Sequence, residues 1–296
     1  MNELKTTIQT TIQETIQEVI KDMYSRVERI DEGRSHHYVR KDTSKWLAGI
    51  SSITKLYPKE FLAPWAAKEA VLYLGYGDEK KAEEITQKIV GMNAKEYQDL
   101  LEEAKKSYNR KSTDAKLKGT DGHSFMEKWV LARIRNTELP EIPKIYTELF
   151  FDDFLKWEKE NIKEWILSEA LVSDLYLEIA GTLDALVLLN NGKLAVIDFK
   201  FANTIDKDYF LQVVGYSIPF ERYGIEISER LILRFPKEEK RKIWHEDIRK
   251  YEIIDNKFEV IKSPYDYEWE KKVFQNMREL YKYSNVENKI KVVMKK

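Results

Sequence analysis

Two runs of apolar, strand-favouring residues, 181–189 (GTLDALVLL) and 193–200 (KLAVIDFK), are joined by Asn190-Asn191-Gly192. An Asn-Gly turn between such runs is the strongest short-range signal for an antiparallel hairpin. Side chains alternate along a strand, so Asp198 and Lys200 share one face. Asp184 lies on the partner strand, and the pairing can bring it beside Asp198 at one end of a sheet. Two converging carboxylates repel unless a cation lies between them, and an oxygen-rich site suits Mg²⁺ or Mn²⁺. A lysine beside them can orient or help deprotonate a water, while the cation neutralises charge developing on a phosphodiester. A bare D-x-K is expected about once by chance in so charged a chain. The weight therefore rests on what accompanies it.

The remaining pattern surrounds this hairpin with helices. Ile8, Ile12, Ile16 and Ile20, with Val19, Met23 and Val27, form one apolar stripe, a helix docked on its own core or on a partner. Residues 31–45, including His36 and His37, read as a polar loop. Phe61, Leu62, Trp65, Ala66, Ala70 and Leu74 mark a helix over 58–76, ended by Gly75 and Gly77. Residues 79–107 form a charged helix or helix pair, and 108–118 a linker. A helix over 120–136 follows, then Pro140 and Pro143, then a helix carrying Phe154, Trp157 and Trp165 to about 167. The texture turns extended from Glu169. A helix over 206–223 comes next, then a hairpin pairing 229–235 with 242–247, then a closing helix over 267–283. The fold class is α/β or α+β. Residues 1–118 form a helical N-terminal region, 119–263 the core, and 264–296 a C-terminal helix and tail.

The absence of cysteine excludes disulfides, thiolate zinc sites and an iron–sulfur cluster. No apolar run is long enough to cross a bilayer and no secretory signal opens the chain, so a cytoplasmic protein without a membrane partner is expected. The Lys/Glu-rich composition leans toward a thermophilic source. A net charge of −1 gives no global sign of a polyanion partner, yet Lys105-Lys106, Arg110-Lys111, Lys116 to Lys118 and residues 237–242 allow a local basic face. No G-x-x-x-x-G-K-[ST] loop is present, so ATP hydrolysis is not expected and no helicase partner is implied.

Three further features are in step with the hairpin. Gly119, His123 and Glu127 form G-x-x-x-H-x-x-x-E, with His123 and Glu127 on one helical face. Glu169 stands at the head of the extended region. Gln212 and Tyr216 share a face of the helix after Lys200. In this order the blocks resemble the RecB-like exonuclease branch of the PD-(D/E)XK nuclease superfamily, phage-type exonucleases and the mitochondrial genome maintenance exonuclease included. The stretch from Ser51 and Thr54 to Trp65 and Lys68 also resembles that group's N-terminal block. The resemblance spans about residues 50–245. It implies a restriction-endonuclease-like core, a central mixed sheet flanked by helices. It further implies a Mg²⁺- or Mn²⁺-dependent DNA exonuclease of replication, repair or recombination, acting on single strands with free ends. A structure-specific endonuclease or a silent nucleic-acid-binding relative are the alternatives. Carried over, His123, Asp184, Asp198 and the Phe199 carbonyl are metal ligands, and Lys200 handles the attacking water. Glu127 and Glu169 complete the metal shell or hold His123. Gln212, Tyr216, Ser51, Thr54 and Lys68 are the substrate-contacting positions.

Overall fold

The computed structural model of the chain describes residues 2–33, 35–245, 247 and 250–293. It is a mixed α/β structure that divides into two compact units, residues 1–57 with 123–296, and residues 58–122. The first unit is built on a sheet whose centre is β5 (Ile179–Leu189). Strand β4 (Ile162–Asp174) pairs antiparallel along one whole edge of β5. The other edge is shared. Its first residues, Ile179 and Ala180, pair in parallel with β3 (Trp46–Gly49), and residues 185–188 pair antiparallel with β6 (Leu194–Phe201). Between these two partners, along residues 181–184, the sheet splits.

On the β3 side the sheet continues through β2 (Ser35–Arg40) and β1 (Val27–Glu32), a meander. Residues 31–45 are therefore largely strand rather than the predicted loop. Tyr38 is buried in the apolar core on one face of the sheet, where a residue of a solvated loop would be exposed. On the β6 side come β7 (Glu229–Phe235), in parallel, and β10 (Glu259–Ile261). The predicted hairpin of 229–235 with 242–247 is not formed. β7 is buried on both faces and pairs with β6, while β8 (Lys240–His245) pairs with β9 (Lys250–Asp255) in a separate two-stranded sheet.

The β5–β6 hairpin follows the sequence closely. Gly192 takes φ +85° and the Asn191 side chain accepts the Lys193 amide at 3.0 Å, the conformations that this turn needs. Both strands are apolar almost throughout because helices cover both faces. One face packs α1 (Asn2–Arg26), α2 (Ile50–Thr54), α9 (Lys207–Glu221) and α10 (Tyr267–Val293), with Ile16, Met23, Ile50, Val214 and Phe274 in its core. The stripe from Ile12 to Val27 thus docks on the chain's own core, and Ile8 lies outside the residues whose side chains are described. The other face packs the end of α6 (Ser107–Arg135), α7 (Lys144–Leu149) and α8 (Phe151–Asn161), an aromatic core of Phe125, Trp129, Phe151, Phe154, Phe199 and Phe235. Trp165, predicted in a helix, stands on β4. Its indole and that of Trp129 both donate to the buried Glu158, which also binds Arg133. The strand thus begins seven residues before Glu169, and Glu169 lies inside β4 rather than at its head.

The second unit holds α3 (Leu62–Tyr73), α4 (Glu79–Val90), α5 (Ala94–Lys105) and the first half of α6. The predicted helix pair over 79–107 is formed, each member capped, by Asp78 and by an Asn93–Glu96 capping box. The predicted linker 108–118 is continuous helix within α6. Its polar residues, lacking Pro and containing only Gly119 nearby, permit helix where composition alone suggested coil. Among the described residues no helix is long and apolar enough to cross a membrane.

Candidate active site

The split in the sheet places the site. Beyond Ala185↔Ile197 the β5–β6 ladder ends, and the Phe199 amide donates instead to Asp184 Oδ2 at 2.7 Å. A side-chain carboxylate replaces the backbone acceptor, which fixes Asp184 against the D-F-K segment. Asp198 is fully buried, and its Oδ1 has no hydrogen-bond partner among the described residues. Its Oδ2 lies 2.5 Å from Lys200 Nζ, and that ammonium stands 4.8 Å from the centre of the Tyr209 ring. An orphaned, buried carboxylate oxygen costs free energy unless something else satisfies it.

Glu169 enters from the other edge. It takes φ +46° and drops out of the β4–β5 ladder between Ser168↔Ala185 and Ala170↔Leu183. Such a backbone costs on the order of 1 kcal/mol in a non-glycine residue, and persists where the surroundings impose it. The carboxyl is pushed up to about 8 by burial and then by the charges of Asp184 and Glu127. Asp198 is pushed up to about 6 by burial, with Asp184 adding and Lys200 opposing. Asp184 is likewise raised by burial. Burial pulls Lys200 down, but Asp198 and Asp184 outweigh it and hold the ammonium above its usual range.

His123 reaches the cluster from α6, on the opposite side of the sheet from α9, with Nδ1 3.6 Å from Asp184 Oδ2. Burial and the charge of Lys200 push it down to about 4, so its imidazole is neutral and able to ligate near pH 7. From α9, Gln212 Nε2 donates to the Tyr216 hydroxyl at 2.8 Å, and Tyr216 feels both Asp184 and Asp198. Gly181 makes this possible, since a Cβ there would lie 2.7 Å from Tyr216 Cε1 and 2.9 Å from Ile50 Cδ1.

The structure therefore brings together Asp184, Asp198, Lys200, His123, Glu169 and Glu127, with Gln212 and Tyr216 beside them. Ser51 and Thr54 lie on α2, where the buried Thr54 hydroxyl donates to the Ser51 carbonyl. Lys68 is exposed on α3 of the second unit. Sequence reading missed Arg29, Tyr38, Thr182 and Tyr209. Thr182 lies in the apolar run 181–189 two residues before Asp184; the others sit in segments whose fold was misread or carried no motif.

Among the described residues no three His, Asp or Glu side chains stand in ready-made metal-holding geometry; Lys200 and the Phe199 amide engage the acidic oxygens. The donor chemistry nevertheless fits a hard divalent cation: several buried carboxylates, one orphaned oxygen and a neutral imidazole. Asp184, Asp198 and His123 are the groups that would hold it. Comparison with known protein families and with curated proteins returns no match for this chain.

Proposed function

We propose that the protein is a Mg²⁺- or Mn²⁺-dependent deoxyribonuclease with a PD-(D/E)XK active site on a restriction-endonuclease-like core, acting as an exonuclease on DNA strands with free ends. The observation that carries this is the buried Asp198 carboxylate, paired among the described residues with Lys200 and set beside Asp184. Two buried aspartates with the half-buried Glu169 beside them are self-repelling, and the arrangement is explicable when a divalent cation neutralises it. The cation would supply charge stabilisation to a phosphodiester and lower the pKa of an attacking water. This chain's own residues do the rest. Asp184 and Asp198 would hold the cation, and His123, neutral, would add a nitrogen. Lys200, kept protonated by the two aspartates, offers its ammonium to the oxygens of the substrate or orients the nucleophile. Tyr216, braced by Gln212, walls the site on the α9 side.

The decisive experiment follows end-labelled single- and double-stranded DNA over time with Mg²⁺, Mn²⁺ or EDTA. Degradation with either metal, abolished by EDTA and by Asp198→Asn, supports the reading. Degradation that persists in EDTA overturns it. A covalently closed single-stranded circle left whole identifies an exonuclease, and one that is opened identifies an endonuclease.

A further inference from the structure

The acidic cluster poses a problem for a polyanionic substrate in a chain of net charge −1, and the β1–β2 hairpin carries an answer. Arg29 on β1 and Tyr38, its cross-strand partner on β2, both reach the same atom of β5. Arg29 Nη1 donates to Thr182 Oγ1 at 3.1 Å, and the Tyr38 hydroxyl lies 2.9 Å from that oxygen. Thr182 is two residues from Asp184. The hairpin is thereby tied to the β5 strand where the sheet splits.

Arg29 Nε binds Asp31 at 2.9 Å, so Asp31 and Thr182 fix the guanidinium while the side chain stays 36 % exposed. It makes no ion pair with Glu169 among the described residues, though its charge acts on that carboxyl. A structural counter-ion would be aimed at the acid and buried with it. This one is braced from the side and open to solvent. A guanidinium fixed on one edge and free on the other matches the oxygens of a phosphate.

We propose that Arg29 binds a phosphate of the nucleic acid strand on the β1–β2 side of the carboxylate cluster, next to the phosphodiester that is cleaved. This rests on the nuclease reading above. Thr182 and Tyr38 are positioning residues, since they hold the hairpin and the guanidinium rather than the strand.

The test measures binding of a short single-stranded oligonucleotide to the full chain, with Ca²⁺ in place of Mg²⁺, over a series of salt concentrations. Arg29→Gln is expected to weaken binding about tenfold and to reduce the slope of log affinity against log salt by about 0.7, the value of one lost phosphate contact on a single strand. Arg29→Lys should keep the slope. A methylphosphonate moved along the strand should weaken wild-type binding at one position and leave Arg29→Gln unaffected at that same position. Should Arg29→Gln fail to fold, Arg29→Met, which keeps the aliphatic stem and removes the charge, takes its place in the same salt series and methylphosphonate scan. Wild-type affinity and slope in Arg29→Gln, or equal methylphosphonate losses in both proteins at every position, overturn the inference. Binding without cleavage under any divalent cation overturns the nuclease reading alone. A wild-type protein that binds no strand overturns both.

Discussion

At the scale of single residues the site is governed by charge taken out of water. Asp198 is held in the interior by one ammonium, so Asp198→Asn and Lys200→Met should each lower cleavage by about a hundredfold or more, by loss of charge stabilisation. Initial rates on labelled DNA check this, with circular dichroism showing that both variants fold. The pH dependence of the metal-free protein has a definite sign. Glu169 titrates at about 8 when folded and near 4.3 when unfolded, so the folded state binds more protons across that window. Stability therefore falls as pH rises. His123, pushed down to about 4, acts oppositely below its unfolded pKa of about 6.5, so above pH 6.5 its opposing contribution is gone, while Asp184, also raised by burial, acts in the same direction as Glu169. In EDTA the melting temperature should decline from about pH 6.5 to about pH 8, and Glu169→Gln should flatten the decline. Parallel curves for the two proteins would count against the assignment. Mn²⁺ should raise the melting temperature more at pH 8 than at pH 6.5, because the cation competes with those protons.

At the scale of elements, the close approach of β5, α2 and α9 decides whether Tyr216 can stand over the aspartates. Gly181→Ala drives a methyl group into Tyr216 and Ile50, which should cost about 1–3 kcal/mol by urea denaturation. It should also lower activity beyond what that loss of stability explains, because the intruded ring borders the site. A neutral effect on both would show that the ring yields freely. The β5–β6 hairpin was legible in the sequence because its signals are local: two apolar, strand-favouring runs, a short loop, and Asn and Gly in the turn where Gly192 takes positive φ. The meander β1–β2–β3 was not. Its short strands are polar on their exposed faces, and only the pairing of β3 with β5 makes them part of a sheet. Similarly, residues 229–235 and 242–247 each have strand character, but strand character does not name a partner.

At the scale of the molecule, the two units differ in how much they bury. The first has two large apolar cores, one on each face of its sheet. In the second, α3 buries only Glu69, which pairs with Lys111 at 2.5 Å, α4 buries nothing and α5 only Leu100 and Ala104. Few buried apolar contacts mean low local opening free energies. Amide hydrogen exchange should therefore be faster by orders of magnitude in α3, α4 and α5 than in β4, β5 and β6. Equal protection would show that the second unit is stabilised by more than its own packing.

Residue types and local periodicity alone carried the hairpin, the flanking helices, and the Asp184, Asp198 and Lys200 cluster, since each depends on neighbours a few residues apart. His123, Gln212 and Tyr216 were named through the resemblance in the order of the sequence blocks, helical spacing giving only their shared faces, and the fold brings them to the cluster from opposite sides of the sheet. What the tertiary structure decided is long-range. Glu169 leaves its ladder, the sheet divides between β3 and β6, and Arg29 is tied to Thr182 across 153 residues of chain. Such contacts depend on which strands share an edge, and the entropy of closing long loops is repaid only by the whole packed core. No local pattern in the chain encodes that choice.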